Sequence, residues 1–155
     1  MKATFPEIET YLHLLEETPQ RLLKSAKSVD ETRLHQRTAK EPWSVNDILA
    51  HLRACADVWG DSIAAMLAED HPTVPYRHPR QWIKKTDYLE LDFRESLKAF
   101  TAQRKQLLKA LKRLSLEDWS RAATIHGREH TVFTQARRMA LHENIHCEQI
   151  ESLLQ

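Results

Sequence analysis

The chain has 155 residues, in which 23 basic side chains nearly balance 22 acidic ones, for a formal net charge of +1. Because Lys and Arg are scattered among Asp and Glu, the sequence shows no basic footprint for nucleic acid or anionic lipid. No apolar run approaches the roughly 20 residues that span a membrane. The 2 cysteines form no disulfide framework, and no secretory signal is present. We expect a single cytoplasmic domain over residues 1–155, with no nucleic-acid or membrane partner.

Apolar residues recur at intervals of three and four over most of the chain, which predicts an all-α protein. Only 2 glycines are available for tight hairpins. The first helix opens at Thr4 with a capping box completed by Glu7. Pro19 interrupts its pattern, so this segment forms either one kinked helix or two short ones. The polar stretch 30–42 is typical of a connection.

A second long helix is predicted from Ser44, which can cap it together with Asp47, to about Asp70. Residues 71–80 contain three prolines and cannot be helical throughout. So long a link predicts a crossover along a bundle instead of a tight antiparallel turn.

The third long helix is predicted to start at residues 87–90, because a regular apolar stripe begins there. Residues 122–130 are predicted to be irregular. The last helix begins at Thr131 or Thr134 and continues to the C-terminus.

Two histidines of the last helix, His142 and His146, are four residues apart and therefore lie on one helical face. They fall at the edge of the apolar stripe, where both imidazoles can reach one metal ion. The alternative is a pair of hydrogen-bonded or half-exposed histidines, and a third ligand elsewhere would decide between the two.

The same residues satisfy the H-E-x-x-H pattern of zinc metalloproteases, in which the glutamate, here Glu143, is the general base. Those enzymes take a third ligand downstream of the second histidine. Only nine residues follow His146, and Ser152 stands where the longer pattern needs histidine. This disfavours the protease interpretation.

Residues 43–52, Trp-Ser-x-x-Asp-Ile-Leu-Ala-His-Leu, and residues 142–150, His-x-x-x-His-x-x-Gln-Ile, resemble the second-helix and last-helix signatures of the DinB-like superfamily. The resemblance implies a four-helix bundle with a crossover between its second and third helices, often as a homodimer. It also implies a divalent metal ion held by His51, His142 and His146. Members include metal-dependent thiol S-transferases, maleylpyruvate isomerases and hydrolases.

Three neutral imidazoles leave coordination positions open for water or substrate, but this ligand type does not choose among zinc, nickel, copper and iron. Glu143 is a candidate for proton transfer, and its alternative is a partly exposed helix glutamate. Cys55 is either a fourth ligand or a small buried core residue. Gln149 can hydrogen-bond near the site, and Arg138 or Arg53 can meet an anionic substrate.

Two classes of function follow. The first is a metal-dependent enzyme, a thiol S-transferase or a hydrolase, that acts on a small molecule such as a low-molecular-weight thiol. The second is a metal-binding stress-response or interaction protein without catalysis. A pocket beside an open metal site favours the first class, and a site closed by protein atoms favours the second.

Overall fold

The computed structural model describes residues 2–155, and four long helices form its bundle. The predicted all-α class and four-helix bundle are confirmed. A small three-stranded sheet, which the sequence did not predict, lies beside the bundle. The elements are α1 (Phe5–Ala26), α2 (Glu31–Leu34), α3 (Val45–Ala68), β1 (Thr73–Val74), α4 (Pro79–Trp82), α5 (Phe93–Leu111), β2 (Ala122–Ile125), β3 (Arg128–Thr131) and α6 (Val132–Leu153), with 3-10 turns at Ile83–Lys85 and Asp118–Ser120.

The helix starts at α3 and α6 are those predicted. Ser44 and Asp47 cap α3 reciprocally: each side chain accepts a hydrogen bond from the other residue's backbone N–H, at 3.0 and 2.9 Å. Thr131 and Thr134 form the equivalent box at α6. These hydrogen bonds satisfy backbone donors that the first turn of a helix leaves without partners.

The predicted start of the third long helix was wrong. Helix α5 begins at Phe93, where the Asp92 side chain accepts from the backbone N–H of Glu95. The preceding residues form turns because Tyr88 and Trp82 both donate to the carboxylate of Asp57, at 2.5 and 2.9 Å. These contacts hold the crossover against α3 before the chain enters α5.

Helix α1 runs through Pro19 as one helix, which decides between the two predicted alternatives. A proline has no backbone N–H, so the carbonyl of Leu15, four residues earlier, loses its helical partner. The Arg104 guanidinium donates to this carbonyl at 2.9 Å. A side chain from α5 therefore supplies the hydrogen bond that the proline removes.

Residues 122–130, predicted to be irregular, form a hairpin instead. Strands β2 and β3 pair antiparallel, with Ala122 opposite Thr131, and β1 of the crossover adds to β2 in parallel. The hairpin turns at His126 and Gly127, whose φ angles of 51° and 75° are both positive. Positive φ at both central residues is the requirement of a type I′ hairpin turn, and glycine meets it without strain.

A polar layer divides the apolar core along the bundle. On one side of this layer lies a cluster that includes Leu15, Trp59 and Met139, and on the other a cluster that includes Leu22 and Phe100. Between the two clusters along α1, α5 and α6 stand a buried polar group and the two histidines of the last helix. The members of this layer are Thr18 of α1, Arg104 of α5, and His142, Glu143 and His146 of α6. His51 of α3 meets the layer at His142.

Candidate metal centre

Three histidines from two helices meet in the middle of the bundle. His51 lies in the second turn of α3, and His142 and His146 lie one turn apart on α6. One ring nitrogen from each lies within 4.8 Å of the other two, and the Nε2 atoms of His51 and His142 are 3.0 Å apart. All three side chains are half-buried. The three histidines lie close together in the structure, as the sequence analysis predicted.

Two imidazoles of this three-histidine cluster, those of His51 and His142, are held in their neutral form. Burial lowers the pKa of His51 to about 4, and the positive potential of His146 adds to the effect. Burial, followed by His146 and His51, lowers the pKa of His142 to about 4 as well. A neutral imidazole has a nitrogen lone pair to donate, whereas a protonated one has none.

A hydrogen-bonded chain orients His146. Its Nδ1 lies 2.9 Å from the side-chain oxygen of Gln149, and the Gln149 amide donates in turn to Glu41 at 3.2 Å. An acceptor at Nδ1 fixes the proton there and leaves the Nε2 lone pair for a ligand, as in many histidine metal sites. The predicted hydrogen-bonding position of Gln149 near the cluster is thus observed.

Aromatic rings surround the other two histidines. The ring centroid of Trp43 lies 5.2 Å from that of His51, and Trp59 meets His142 edge-on at 5.1 Å. The Nδ1 of His142 is buried and has no hydrogen-bonding partner among residues 2–155. Three ring nitrogens that converge at short range, one of them on a histidine whose other nitrogen hydrogen-bonds to Gln149, fit a divalent metal ion.

Cys55 contacts the cluster without belonging to it. Its Sγ lies 3.7 Å from His51 Nε2, but it is not part of the set of ligand atoms that lie within 4.8 Å of one another. Burial raises the pKa of the Cys55 thiol to about 12, with Glu143 adding to the shift, so the sulfur carries its proton. These observations agree with the interpretation of Cys55 as a small buried residue.

The structure does not place Glu143 with the cluster as a proton-transfer group. Its carboxylate is 1% exposed and accepts two hydrogen bonds from the Arg104 guanidinium, at 2.7 and 2.5 Å. A third comes from the hydroxyl of Thr18, at 2.9 Å. Both carboxylate oxygens are therefore engaged by the Arg104 guanidinium. The expectation of a partly exposed glutamate was wrong, since the side chain is fully buried.

Two cavities open beside the three-histidine cluster. The main cavity has a volume of about 410 Å³ and reaches His51 and His142. The side cavity, of about 350 Å³, lies against His51 and includes Trp43, Ile83 and Leu89. The main cavity takes its walls from α3, the crossover, the hairpin and α6. Among its lining residues are Trp59, Tyr76, Arg80, His126, Arg128, His130, Gln135 and Arg138.

Of the two arginines proposed from the sequence, only Arg138 lines the main cavity. Arg53 lies elsewhere: its guanidinium covers the ring of Tyr88 at 3.8 Å and donates to Ser96. Sequence reasoning missed Gln135, although its position seven residues before His142 puts both on one helical face. It also missed the contribution of the crossover and hairpin, for which local sequence gives no signal.

The fold and the three-histidine cluster define an all-α protein of the helical-bundle type with a candidate metal centre, and comparison with known proteins identifies its family. The sequence matches the DinB superfamily over residues 14–150. The chain therefore belongs to the DinB superfamily, as the two motifs predicted.

A solved structure shares the fold. YfiT from Bacillus subtilis, described as a probable metal-dependent hydrolase with an unusual four-helix bundle topology, superposes with a TM-score of 0.84. The sequences are 17% identical, and the match covers 97% of this chain and 87% of YfiT. No curated protein matched the sequence. None of the helices in residues 2–155 combines the length and apolar character needed to cross a membrane.

Proposed function

We propose that this protein is a metal-dependent enzyme in which His51, His142 and His146 hold a divalent ion beside a cavity for a small-molecule substrate. The observation that carries the proposal is the position of the cluster: two of its three imidazoles, those of His51 and His142, line an open cavity of about 410 Å³. A site closed by protein atoms would instead favour a non-catalytic metal-binding protein.

When bound, a divalent ion would supply Lewis acidity that polarises a carbonyl or phosphoryl group and lowers the pKa of a water or thiol. The chain's own residues prepare the site. Gln149 fixes the orientation of His146, and the rings of Trp43 and Trp59 cover the flanks of His51 and His142. Zinc, nickel and iron all suit such nitrogen donors.

The nucleophile comes from outside the chain in this proposal. Three side chains that line the main cavity have a hydroxyl or thiol: Cys55, Ser62 and Tyr76. The Tyr76 ring lies against His126, with 4.7 Å between the ring centroids, and not against the cluster. The Ser62 hydroxyl donates to the carbonyl of Val58 in its own helix, at 3.1 Å. The Cys55 thiol keeps its proton because burial raises its pKa to about 12. A water or a substrate thiol is therefore the attacking group.

Hydrolysis and thiol transfer are the two candidate reactions. The description of YfiT as a probable metal-dependent hydrolase supports hydrolysis. The arrangement of the two cavities supports thiol transfer, because both are lined by His51 and together offer room for a thiol and an acceptor on either side of it.

An activity panel distinguishes these reactions. Metal-loaded protein is assayed with aryl esters, anilides and phosphoesters, and separately with low-molecular-weight thiols and an electrophilic acceptor. We expect turnover in one arm, abolished both by chelation and by His51→Ala. Turnover that survives both treatments would place the chemistry elsewhere in the molecule. No turnover in either arm by fully metal-loaded protein would favour the non-catalytic alternative.

A further inference from the structure

The main cavity is strongly cationic although the chain as a whole is nearly neutral. Arg77, Arg80, Arg128 and Arg138 line it, and Asp61 is the one acidic residue of the lining. Asp61 is paired with Arg77, at 2.5 Å. The other three guanidinium groups have no acidic partner among residues 2–155. A net charge of +1 for the chain thus conceals a local positive potential, which attracts anions into the cavity.

Arg138 connects this charge to the three-histidine cluster. It lies one turn before His142 on α6, and its guanidinium carbon is 4.9 Å from the centroid of the Trp59 ring. The same indole meets the His142 ring edge-on at 5.1 Å. Because the Trp59 ring contacts both side chains, it holds the Arg138 guanidinium close to the His142 imidazole.

A buried amide lies on the same face of α6. Gln135 is 2% exposed and lines the main cavity. Its side chain makes no hydrogen bond with any group in residues 2–155. Its amide atoms are not among the fully enclosed polar atoms that lack a partner. Its two donor hydrogens and its acceptor oxygen are therefore reachable by a molecule in the cavity.

The hairpin contributes a second cation from a different element. Arg128 begins β3 and lines the main cavity with His130 of the same strand. The pKa of His130 is lowered, first by burial and then by the positive charges of Arg138 and Arg128. The fields of the helix arginine and the strand arginine therefore overlap at His130.

From this arrangement we infer that the main cavity binds its ligand through an oxyanion, a carboxylate or a phosphate, held by Arg138, Gln135 and Arg128. A guanidinium and an amide together can donate several hydrogen bonds to the oxygens of such a group. The remainder of the ligand lies toward Trp59 and Tyr76, which suits a planar or unsaturated body. The identity of this ligand as the substrate rests on the proposed function, whereas anion binding does not.

The test uses the full-length, metal-free protein and three probes of matched shape: benzoate, phenyl phosphate and neutral benzamide. Binding is measured by calorimetry and by NMR titration, so no catalytic activity is needed. We expect one or both anions to bind at least about tenfold more tightly than benzamide, since charge-assisted hydrogen bonds are roughly twice as strong as neutral ones. Comparing the two anions distinguishes carboxylate from phosphate recognition.

Substitutions locate the binding site. Arg138→Gln and Arg128→Gln should each weaken anion binding by about tenfold. Arg137→Gln is the matched control, because Arg137 is an exposed neighbour on α6 whose guanidinium donates to Tyr11 instead. Arg138→Lys keeps the charge but loses the planar donor pair, and should fall between Arg138→Gln and the unmodified protein.

Two results would overturn the inference: equal affinity for benzoate, phenyl phosphate and benzamide, or equal effects of Arg138→Gln and Arg137→Gln. Absence of anion binding at millimolar concentration would overturn it as well. A different result would refute the proposed function. If the purified protein binds no divalent ion but still binds an anion through Arg138, the metal-dependent enzyme is refuted and the anion site stands.

Discussion

Glu143 follows a histidine of the three-histidine cluster directly, yet its side chain belongs to a different environment. Adjacent residues of a helix point about 100° apart, so a neighbour in sequence does not share a face. The carboxylate enters the bundle interior and pairs with Arg104, whose side chain is 2% exposed. The pair links α5 to α6, and Thr18 and the Leu15 carbonyl connect it to α1.

The first prediction concerns this buried pair. Glu143→Gln leaves the Arg104 guanidinium buried without its counter-charge, and breaking such a pair costs about 3–5 kcal/mol. We expect that loss in the free energy of unfolding, measured by urea denaturation, with the bound metal retained. Glu148→Gln, at an exposed position of the same helix, should change it by no more than about 0.5 kcal/mol. If Glu143→Gln instead had normal stability but no turnover, Glu143 would act as a proton-transfer group.

The second prediction concerns the two histidines with lowered pKa. His51 and His142 titrate near 4 in the folded protein and near 6.5 when unfolded. Their stabilising contribution is complete above about pH 6.5 and declines as the pH falls toward 4, because the unfolded chain takes up protons first. We therefore expect the metal-free protein to lose stability between pH 6.5 and about pH 5, before most carboxylates protonate.

The measurement is the free energy of unfolding against pH in chelator-treated protein. The double variant His51→Ala, His142→Ala is the control, and its stability should depend less steeply on pH over that window. Equal slopes for the two proteins would contradict the lowered pKa values. Zinc should raise the stability of the unmodified chain and extend the dependence below pH 4, since a bound cation excludes protons from the ring nitrogens of the folded protein while the unfolded chain still takes them up.

At the scale of elements, the crossover between α3 and α5 is fixed by one carboxylate. Asp57 accepts hydrogen bonds from Trp82, Tyr88 and Gln103, the last at 2.7 Å. Burial, with the hydrogen bond to Asp57 next in importance, raises the pKa of Tyr88 to about 12, so the phenol remains a donor. The segment anchored this way carries Arg80 and Tyr76 into the wall of the main cavity.

The third prediction tests this anchor. Asp57→Ala leaves three donors without their acceptor, and we expect a loss of about 1–3 kcal/mol in the free energy of unfolding. Amide hydrogen exchange should accelerate in residues 72–91 more than in α6. Asp61→Ala, one turn later on α3, removes only an exposed ion pair and should cost less than about 1 kcal/mol. Equal costs for the two substitutions would show that Asp57 is not the anchor.

The sequence was sufficient for the helices and their histidines, because helical periodicity and capping are local properties. Ser44 with Asp47 marks the start of α3, and the spacing of His142 and His146 fixes their common face. The sheet was missed because β1 and β2 pair in parallel across about fifty residues, as in Thr73 with Thr124. Local patterns contain no information about such a pairing.

The same limit applies to the candidate site. Through the family resemblance, the two histidine motifs predicted the three histidines that converge, and of the two arginines proposed to meet an anionic substrate, Arg53 and Arg138, only Arg138 lines the main cavity. The counter-charge of Glu143 is 39 residues away at Arg104 and could not be assigned from spacing. Most of the lining of the main cavity was equally inaccessible, because the crossover and hairpin supply it.

At the scale of the whole molecule, we expect a homodimer, as the family resemblance implies. Leu141 and Ile145, one turn apart on α6, are 36% and 63% exposed, and Leu23 on the adjacent α1 is 62% exposed. Leu141 and Ile145 are neighbours on one face of α6, and adjacent exposed apolar side chains are typical of interfaces. Sedimentation velocity should give twice the chain mass of 18.2 kDa.

Substitutions test which surface forms the interface of the dimer. Ile145→Lys should shift the sedimentation profile toward the monomer, because it introduces a charge where the partner would pack. Leu116→Lys, at an exposed apolar residue outside the long helices, is the control and should have no effect. A monomer at all concentrations of the unmodified protein would exclude the dimer.

The proposed function depends on metal binding by the three-histidine cluster, and the metal content of the purified protein tests this most directly. Protein purified without a metal-affinity tag or chelator is analysed for zinc, nickel, copper and iron by elemental analysis. We predict one divalent ion per chain, lost in His51→Ala and in His142→Ala, whose substituted residues come from different helices, and retained in Glu143→Gln. A folded wild-type protein that binds no divalent ion, even after reconstitution, would contradict the account, as would a His51→Ala variant with unchanged metal content.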